Sequence, residues 1–259
     1  MIYQMRDKNW NGIIWEGVYQ SFDESRGEKG VFHDSTWINK QTEQLRTKLA
    51  LLEEETSIGI SSLAQSNDYY LSAILATQYE SPGKKVSVLD FGGGLANTYL
   101  DVINSLPKEM SLKYVVVENE KICEIGSDLF KENEQIAFSS QLPITEHFDT
   151  VHAGSSIQYV DDWKGLLKRF CDYKPRYLVF ADLPAGDIET FVAIQNYYGK
   201  KIPVWFWNLD EFINEVETLG YELIAKYRYS NDYVKTMSGY DENHSLSHFS
   251  QLIFKSNDK

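Results

Sequence analysis

The chain reads as an α/β protein built on a mostly parallel sheet of seven strands. Three observations carry that reading. From residue 85 onward, short β-branched and apolar runs alternate with helical patterns, and such alternation implies parallel strands with helices on both faces. The first run, residues 86–91, ends in Asp90-Phe91, three glycines follow, and a helical pattern begins at once. The last two runs, 221–229 and 248–255, are separated by a polar loop without a helix. They are therefore expected to pair antiparallel, because a parallel crossover normally uses a helix.

Taken in order, the stretch to about Gly30 is punctuated by Trp10, Gly12, Trp15, Gly17, Gly27 and Gly30 and has no sustained period. It is expected to wrap over another part of the molecule. Asp34 or Ser35 can cap a helix carrying Trp37, Leu45, Leu49 and Leu52. A second helical pattern starts near Asn67 and sets Tyr70, Leu71, Ile74 and Leu75 on one face. Ser81-Pro82-Gly83 then breaks the chain. A boundary is expected there, between a helical and aromatic N-terminal extension (1–82) and the main domain (83–259). Within that domain the expected strands are 86–91, 113–118, 136–139, 150–155, 176–182, 221–229 and 248–255. Helices are expected over 95–106, stopped by Pro107, over 119–131 and over 161–173. Asn208 and Glu211 have capping-box spacing and open a last helix that Gly220 closes. The segment 183–208 is long and aromatic, with Phe191, Tyr197, Tyr198, Trp205, Phe206 and Trp207. It is expected to wall a pocket or to pack beneath the sheet.

Composition removes several function classes. Apolar residues reach 42%, enough for a sizeable core, and the formal charge is −13 at pH 7. An acidic balance argues against a nucleic-acid partner, whose phosphates are met by Lys and Arg. The first eleven residues are polar and mixed in charge, unlike a signal peptide, and no apolar run approaches membrane-spanning length. Cys123 and Cys171 are far apart and lack metal spacing, so two free thiols and a cytoplasmic setting are expected.

The chemistry centres on Val88-Leu-Asp90-Phe-Gly92-Gly93-Gly94. In open α/β sheets, ligands sit beyond the carboxyl ends of the strands, where glycines let a backbone approach a cofactor. Glu118 ends the next strand, 24 residues beyond Gly94, near the roughly 20-residue spacing of a ribose-binding acid. A dinucleotide site asks for a third glycine, and Asn97 stands in its place. A diphosphate also disfavours Asp90 beside the turn, whereas S-adenosylmethionine presents a sulfonium and an amino group, both cationic.

On these residues the chain resembles the class I S-adenosylmethionine-dependent methyltransferases. Residues 88–94 are similar to their first motif, Val115-Val-Val-Glu118 to their second, and 148–159 to their fourth-strand segment. More narrowly, Trp15-Glu-Gly-Val-Tyr19 resembles the opening of a bacterial methyltransferase group associated with surface-polysaccharide synthesis. The resemblance implies a Rossmann-like, doubly wound fold with a C-terminal antiparallel hairpin. It implies that Gly92, Gly93 and Gly94 approach the cofactor, that Asp90 holds its amino end, directly or through water, and that Glu118, with Asn119 beside it, grips the ribose. Ser155 and Ser156 would form the pocket wall or cap an ordinary loop. One departure concerns the adenine: residues 138–142 read Phe-Ser-Ser-Gln-Leu, without the usual acid. The acceptor would be a small molecule or a glycan precursor.

An acceptor hydroxyl benefits from a base within hydrogen-bond reach. Asp182, at the end of the fifth strand, and His244, in the last loop, are the candidates. His244-x-x-x-His248 lacks a third ligand at metal spacing, so no metal is expected. His152 reads as a hydrogen-bonded core histidine and Asp149 as a residue fixing the start of the fourth strand. An oxidoreductase or epimerase would need a Tyr-x-x-x-Lys pair, and Tyr159 and Lys164 have the wrong spacing. A non-catalytic binding protein of the same fold is the other alternative.

Overall fold

The computed structural model describes residues 14–28, 30–55, 69–78, 85–107, 109–197, 199–229, 237 and 239–258. Trp10, Gly12, the helix start near Asn67, the break at Ser81-Pro82-Gly83 and Tyr198 lie outside the described residues, as does the side chain of Leu52.

The described chain opens with β1 (Trp15–Tyr19), the short α1 (Phe22–Ser25), the long α2 (Ser35–Glu55) and α3 (Tyr69–Thr77). The main unit follows as β2 (Lys85–Phe91), α4 (Asn97–Ser105), β3 (Ser111–Val117), α5 (Glu120–Leu129), β4 (Ile136–Ser139), β5 (Thr150–Gly154), α6 (Trp163–Asp172) and β6 (Tyr177–Leu183). After it come β7 (Ala185–Gly186), β8 (Phe191–Tyr197), β9 (Lys200–Asn208), α7 (Leu209–Glu217), β10 (Tyr221–Tyr229) and β11 (Phe249–Ser256).

Seven strands form the principal sheet in the order β10-β11-β6-β5-β2-β3-β4. The strands β2 to β6 are mutually parallel, and β11 runs antiparallel to both β6 and β10, as the helix-free loop predicts. Two apolar layers enclose the sheet. Val86, Val88, Tyr114 and Val116 face Ile38 and Leu45 of α2, Leu71 and Leu75 of α3, and Leu100 of α4. Leu89, Val115, Val117 and Phe180 face Trp163 and Phe170 of α6 and Phe212 of α7. Parallel strands covered on both faces are apolar almost throughout, and β2 and β3 are buried along most of their length. Asp149 binds β5 to β2 by accepting from the Ser87 N–H at 2.8 Å and the Ser87 hydroxyl at 2.7 Å.

The aromatic segment 183–208, in which the sequence pattern marks no strand, contains β8 and β9, an antiparallel hairpin turning at Gly199, whose φ is 71°. On its free edge β8 takes β1, pairing Trp15 with Gln195, while β7 runs parallel to β9. Within the Trp- and Gly-punctuated N-terminal stretch, Trp15–Tyr19 is thus an edge strand of a second, four-stranded sheet. This hairpin lacks a clean alternation because much of both strands is buried. Phe191 stacks on Phe206 at 5.0 Å, and Trp15 and Phe249 meet Phe206 edge-on. The capping box at α7 is half formed. Asn208 caps the Glu211 N–H, but the Glu211 carboxylate accepts from Thr190, whose hydroxyl oxygen in turn accepts from the Asn208 N–H.

Candidate functional site

The connection from β2 to α4 lies at the carboxyl end of the sheet and contains three left-handed residues: Gly92 (φ 68°), Gly94 (φ 57°) and Ala96 (φ 63°). These delay the helix to Asn97, two residues beyond the expected start. Gly92 and Gly93 are also crowded by protein neighbours. A Cβ at Gly92 would overlap Ser156 Cβ, and one at Gly93 would overlap Asp90 Oδ2. One at Gly94 would come within 3.2 Å of Gln41 Oε1 on α2. Replacing Gly92 with alanine is therefore expected to destabilise the protein by roughly 2–5 kcal/mol, combining left-handed strain with overpacking. Adding Ser156→Gly should recover the packing part and leave the strain. Urea unfolding of the single and double variants checks this, and equal losses in both would refute the overlap.

Asp90, expected at the amino end of a cofactor, is 1% exposed and sits beneath the turn. Its Oδ2 accepts from the Tyr114 hydroxyl at 2.7 Å, and its Oδ1 lies 2.8 Å from His152 Nδ1. Register explains the cluster: His152 is the direct β5 partner of Asp90, and Tyr114 sits on the same face of β3, opposite Val88. A buried carboxylate needs such donors, and this one is pressed against Gly93. Asp90 thus acts on the turn from beneath, by contact and by charge. His152 is a hydrogen-bonded core residue, as its mid-strand position predicts.

Glu118, half-buried, follows β3 and turns toward the glycines. Its carboxylate accepts from the Asn119 N–H at 2.8 Å and from Asn119 Nδ2 at 3.0 Å, and the nearby Gly94 N–H favours its ionised form. Burial nonetheless pushes its pKa above the ordinary glutamate value, and the nearby Asp90 charge adds a smaller push in the same direction. Asn119 is heavily used by the protein itself. Its Oδ1 caps α5 through the Ile122 N–H at 3.1 Å, and its Nδ2 also reaches the Phe32 carbonyl at 3.2 Å. Beneath them the thiol of Cys123 donates to the Glu118 carbonyl, and both cysteines are free. Burial raises both thiols, that of Cys171 to about 12, so neither is poised as a nucleophile.

Phe32 belongs to the N-terminal segment and meets Tyr159 edge-on at 4.8 Å and Trp37 at 5.4 Å. The Tyr159 hydroxyl donates to Gln195 Oε1 of β8 at 3.0 Å, and Lys40 lies 5.9 Å over the Tyr197 ring. The segment leading into α2, the turn after β5 and the β8 hairpin therefore converge beyond the carboxyl ends of β2, β3 and β5. Phe32, Gln41 and Tyr114 were not singled out in the sequence. Only Tyr114 left a signal, as a polar-tipped residue on the inward face of a buried strand.

After β5, Ser155 (φ 51°) is exposed, and Ser156 is buried with its hydroxyl donating to the Phe91 carbonyl at 2.7 Å. Gln158 reaches back to Ser155 Oγ at 3.3 Å. In the region expected to meet an adenine, the Ser139 hydroxyl donates to the Gln141 carbonyl within its own turn. Asp182 sits near the end of β6 at φ 51°. There Ala181 and Asp182 stand opposite the single residue Gln251, a β-bulge in the pairing with β11. Bulges of this kind re-aim a side chain beside active sites. Asp182 follows Ala181, whose carbonyl accepts from the Ser155 N–H at 2.9 Å.

His244 is held by its own loop and by β8. Its ring lies edge-on to Phe191 at 5.0 Å, and its Nδ1 is 2.8 Å from Asp241 Oδ1. Phe191 is four residues from Gln195 along β8, about 13 Å in a strand. Tyr159 and Lys164 are not paired, because the Lys164 ammonium is bound to Glu215 at 2.7 Å. Among the described residues, no group of three His, Cys, Asp or Glu side chains is arranged for a metal, and no helix is long and apolar enough to cross a membrane.

No protein-family model matches the chain, and no curated protein matches it by sequence. Solved structures do match its fold. One is the 1,6-didemethyltoxoflavin N1-methyltransferase of Burkholderia thailandensis, bound to 1,6-didemethyltoxoflavin and S-adenosylhomocysteine. It has a TM-score of 0.51 and 13% identity, over 89% of this chain and 92% of that one. Another is an S-adenosylmethionine-dependent methyltransferase of Mesorhizobium loti, with a TM-score of 0.50 and 10% identity, over 75% of this chain and all of that one. The chain shares the Rossmann-like α/β fold of these proteins.

Proposed function

We propose that the protein is an S-adenosylmethionine-dependent methyltransferase acting on a small-molecule or carbohydrate-linked acceptor through oxygen or nitrogen. The observation that carries this reading is the pair of carboxylates at the glycine turn. Asp90 lies beneath Gly93, and Glu118 faces the Gly94 N–H while burial disfavours its charge. A cationic sulfonium donor relieves that electrostatic tension, and a diphosphate aggravates it. The fold and the bound S-adenosylhomocysteine of the Burkholderia enzyme support the same donor.

Methyl transfer needs the acceptor held in line with the sulfur and shielded from water. In this reading the N-terminal extension, the β8 hairpin and Tyr159 wall the acceptor side. Asp182 serves as the base, its bulged and left-handed backbone aiming the carboxylate, and His244 has no part in the transfer. The association of the resembling bacterial group with surface polysaccharides makes cytoplasmic nucleotide sugars and glycan precursors the first acceptors to try.

Calorimetry with S-adenosylmethionine, S-adenosylhomocysteine and NAD, followed by transfer of labelled methyl to a panel of nucleotide sugars and small acceptors, tests the proposal. The expected result is binding of both sulfur ligands and labelled product that falls at least tenfold in Asp182→Asn. Binding of NAD alone would replace the reading with an oxidoreductase, and donor binding without transfer to any acceptor would favour a non-catalytic protein.

A further inference from the structure

The inward face of α2 carries a polar residue, Gln41, between two apolar neighbours. Ile38 and Leu45 are buried in the core beside Leu95 and Ala96. Gln41 lies between them, one helical turn from each, so it shares their face. It is half-buried, and its Oε1 is 3.2 Å from the position a Cβ would occupy on Gly94. Among the described residues the Gln41 amide makes no hydrogen bond. With no partner among the described residues and its Oε1 beside Gly94, this half-buried amide has donors and an acceptor to offer a ligand.

Two turns further along the same face, Lys48 fastens α2 to α4. Its ammonium donates to the Asn97 carbonyl at 2.8 Å and pairs with Asp101 at 2.6 Å. The pair is largely shielded, with side chains 17% and 14% exposed. One charge thus ties the helix to the first turn of α4, immediately after the glycines. At the other end of the segment, the Phe32 carbonyl accepts from Asn119 Nδ2. Gln41 is held between these two attachments.

We infer that Gln41 is a donor-binding residue supplied by the N-terminal extension, its amide meeting a hydroxyl or carboxylate oxygen of the bound donor beside Gly94. Lys48 is its positioning residue. The inference rests on the methyltransferase reading and deepens it. Ribose hydroxyls and the methionine carboxylate offer the same oxygen chemistry, and 5′-methylthioadenosine, which keeps the ribose and lacks the amino-acid end, separates them.

The test is calorimetric affinity for S-adenosylhomocysteine and 5′-methylthioadenosine in the full chain, with Gln41→Leu, Lys48→Met and Lys48→Arg. Gln41→Leu is expected to weaken S-adenosylhomocysteine about five- to twentyfold while the melting temperature of the free protein is retained or raised. Lys48→Met should weaken it similarly without touching the ligand, and Lys48→Arg should restore most of the affinity. In steady-state assays both losses should enter KM for the donor more than kcat. A parallel loss for 5′-methylthioadenosine assigns the contact to the ribose, and a loss confined to S-adenosylhomocysteine assigns it to the carboxylate. Wild-type affinity in Gln41→Leu overturns the inference alone. A wild-type chain that binds neither ligand overturns both it and the methyltransferase reading.

Discussion

Replacing Asp90 with alanine is expected to destabilise the protein by roughly 2–5 kcal/mol, because two buried donors lose their shared acceptor at once. The Tyr114 hydroxyl and His152 Nδ1 both point at this carboxylate from the flanking strands. Neither can turn to water, since Tyr114 is fully enclosed and His152 is 2% exposed. The glycine turn should also loosen, for Gly93 rests directly on Asp90. Donor affinity is therefore expected to fall at least tenfold even in the folded fraction. Asp90→Asn keeps the shape and one acceptor oxygen, and should lie between the wild type and alanine on both scales. Urea unfolding and calorimetry measure the two quantities separately. A stability loss below about 1 kcal/mol for the alanine variant would show that the carboxylate is not the hub of this cluster.

Glu118→Gln is expected to move stability and binding in opposite directions. Burial holds the folded-state pKa of Glu118 above its ordinary value, so its ionised form opposes folding. The sign follows from linkage: the unfolded chain loses this proton at lower pH than the folded one. The penalty is absent below the ordinary glutamate pKa. It grows as pH rises through the interval up to the raised folded value, and is complete above it. Glutamine mimics the protonated form, so the variant should melt above the wild type at neutral pH, and the gain should vanish in acid. Donor affinity should fall about 10- to 100-fold, the loss of hydrogen bonds to a charged acceptor. Thermal melts at several pH values and titration with S-adenosylhomocysteine check both arms. A variant that binds normally, or one less stable at neutral pH, contradicts the assignment of Glu118 as a carboxylate kept charged for a ligand.

The strands of the principal sheet were legible because each is a short apolar run bounded by a turn or an acid, and covered parallel strands have that composition by necessity. The antiparallel end was legible for a topological reason, since a loop without a helix cannot easily make a parallel crossover. The second sheet was not legible. Its strand β1 finds its partner 180 residues later, Trp15 opposite Gln195. The aromatics of the β8 hairpin are buried among Trp15, Phe206 and Phe249, which erases the period of two that marks a half-exposed strand.

At the site, local pattern alone determined the glycine turn, the acid before it and the acid closing the next strand, because backbone reach and residue spacing are properties of neighbouring residues. Tertiary packing decided the rest. It turned Asp90 inward onto Tyr114 and His152, which lie 24 and 62 residues away, set Gln41 beside Gly94, and laid His244 against Phe191. Sheet register and helix docking bring together side chains that no local spacing relates, and burial then decides which of them can meet a ligand.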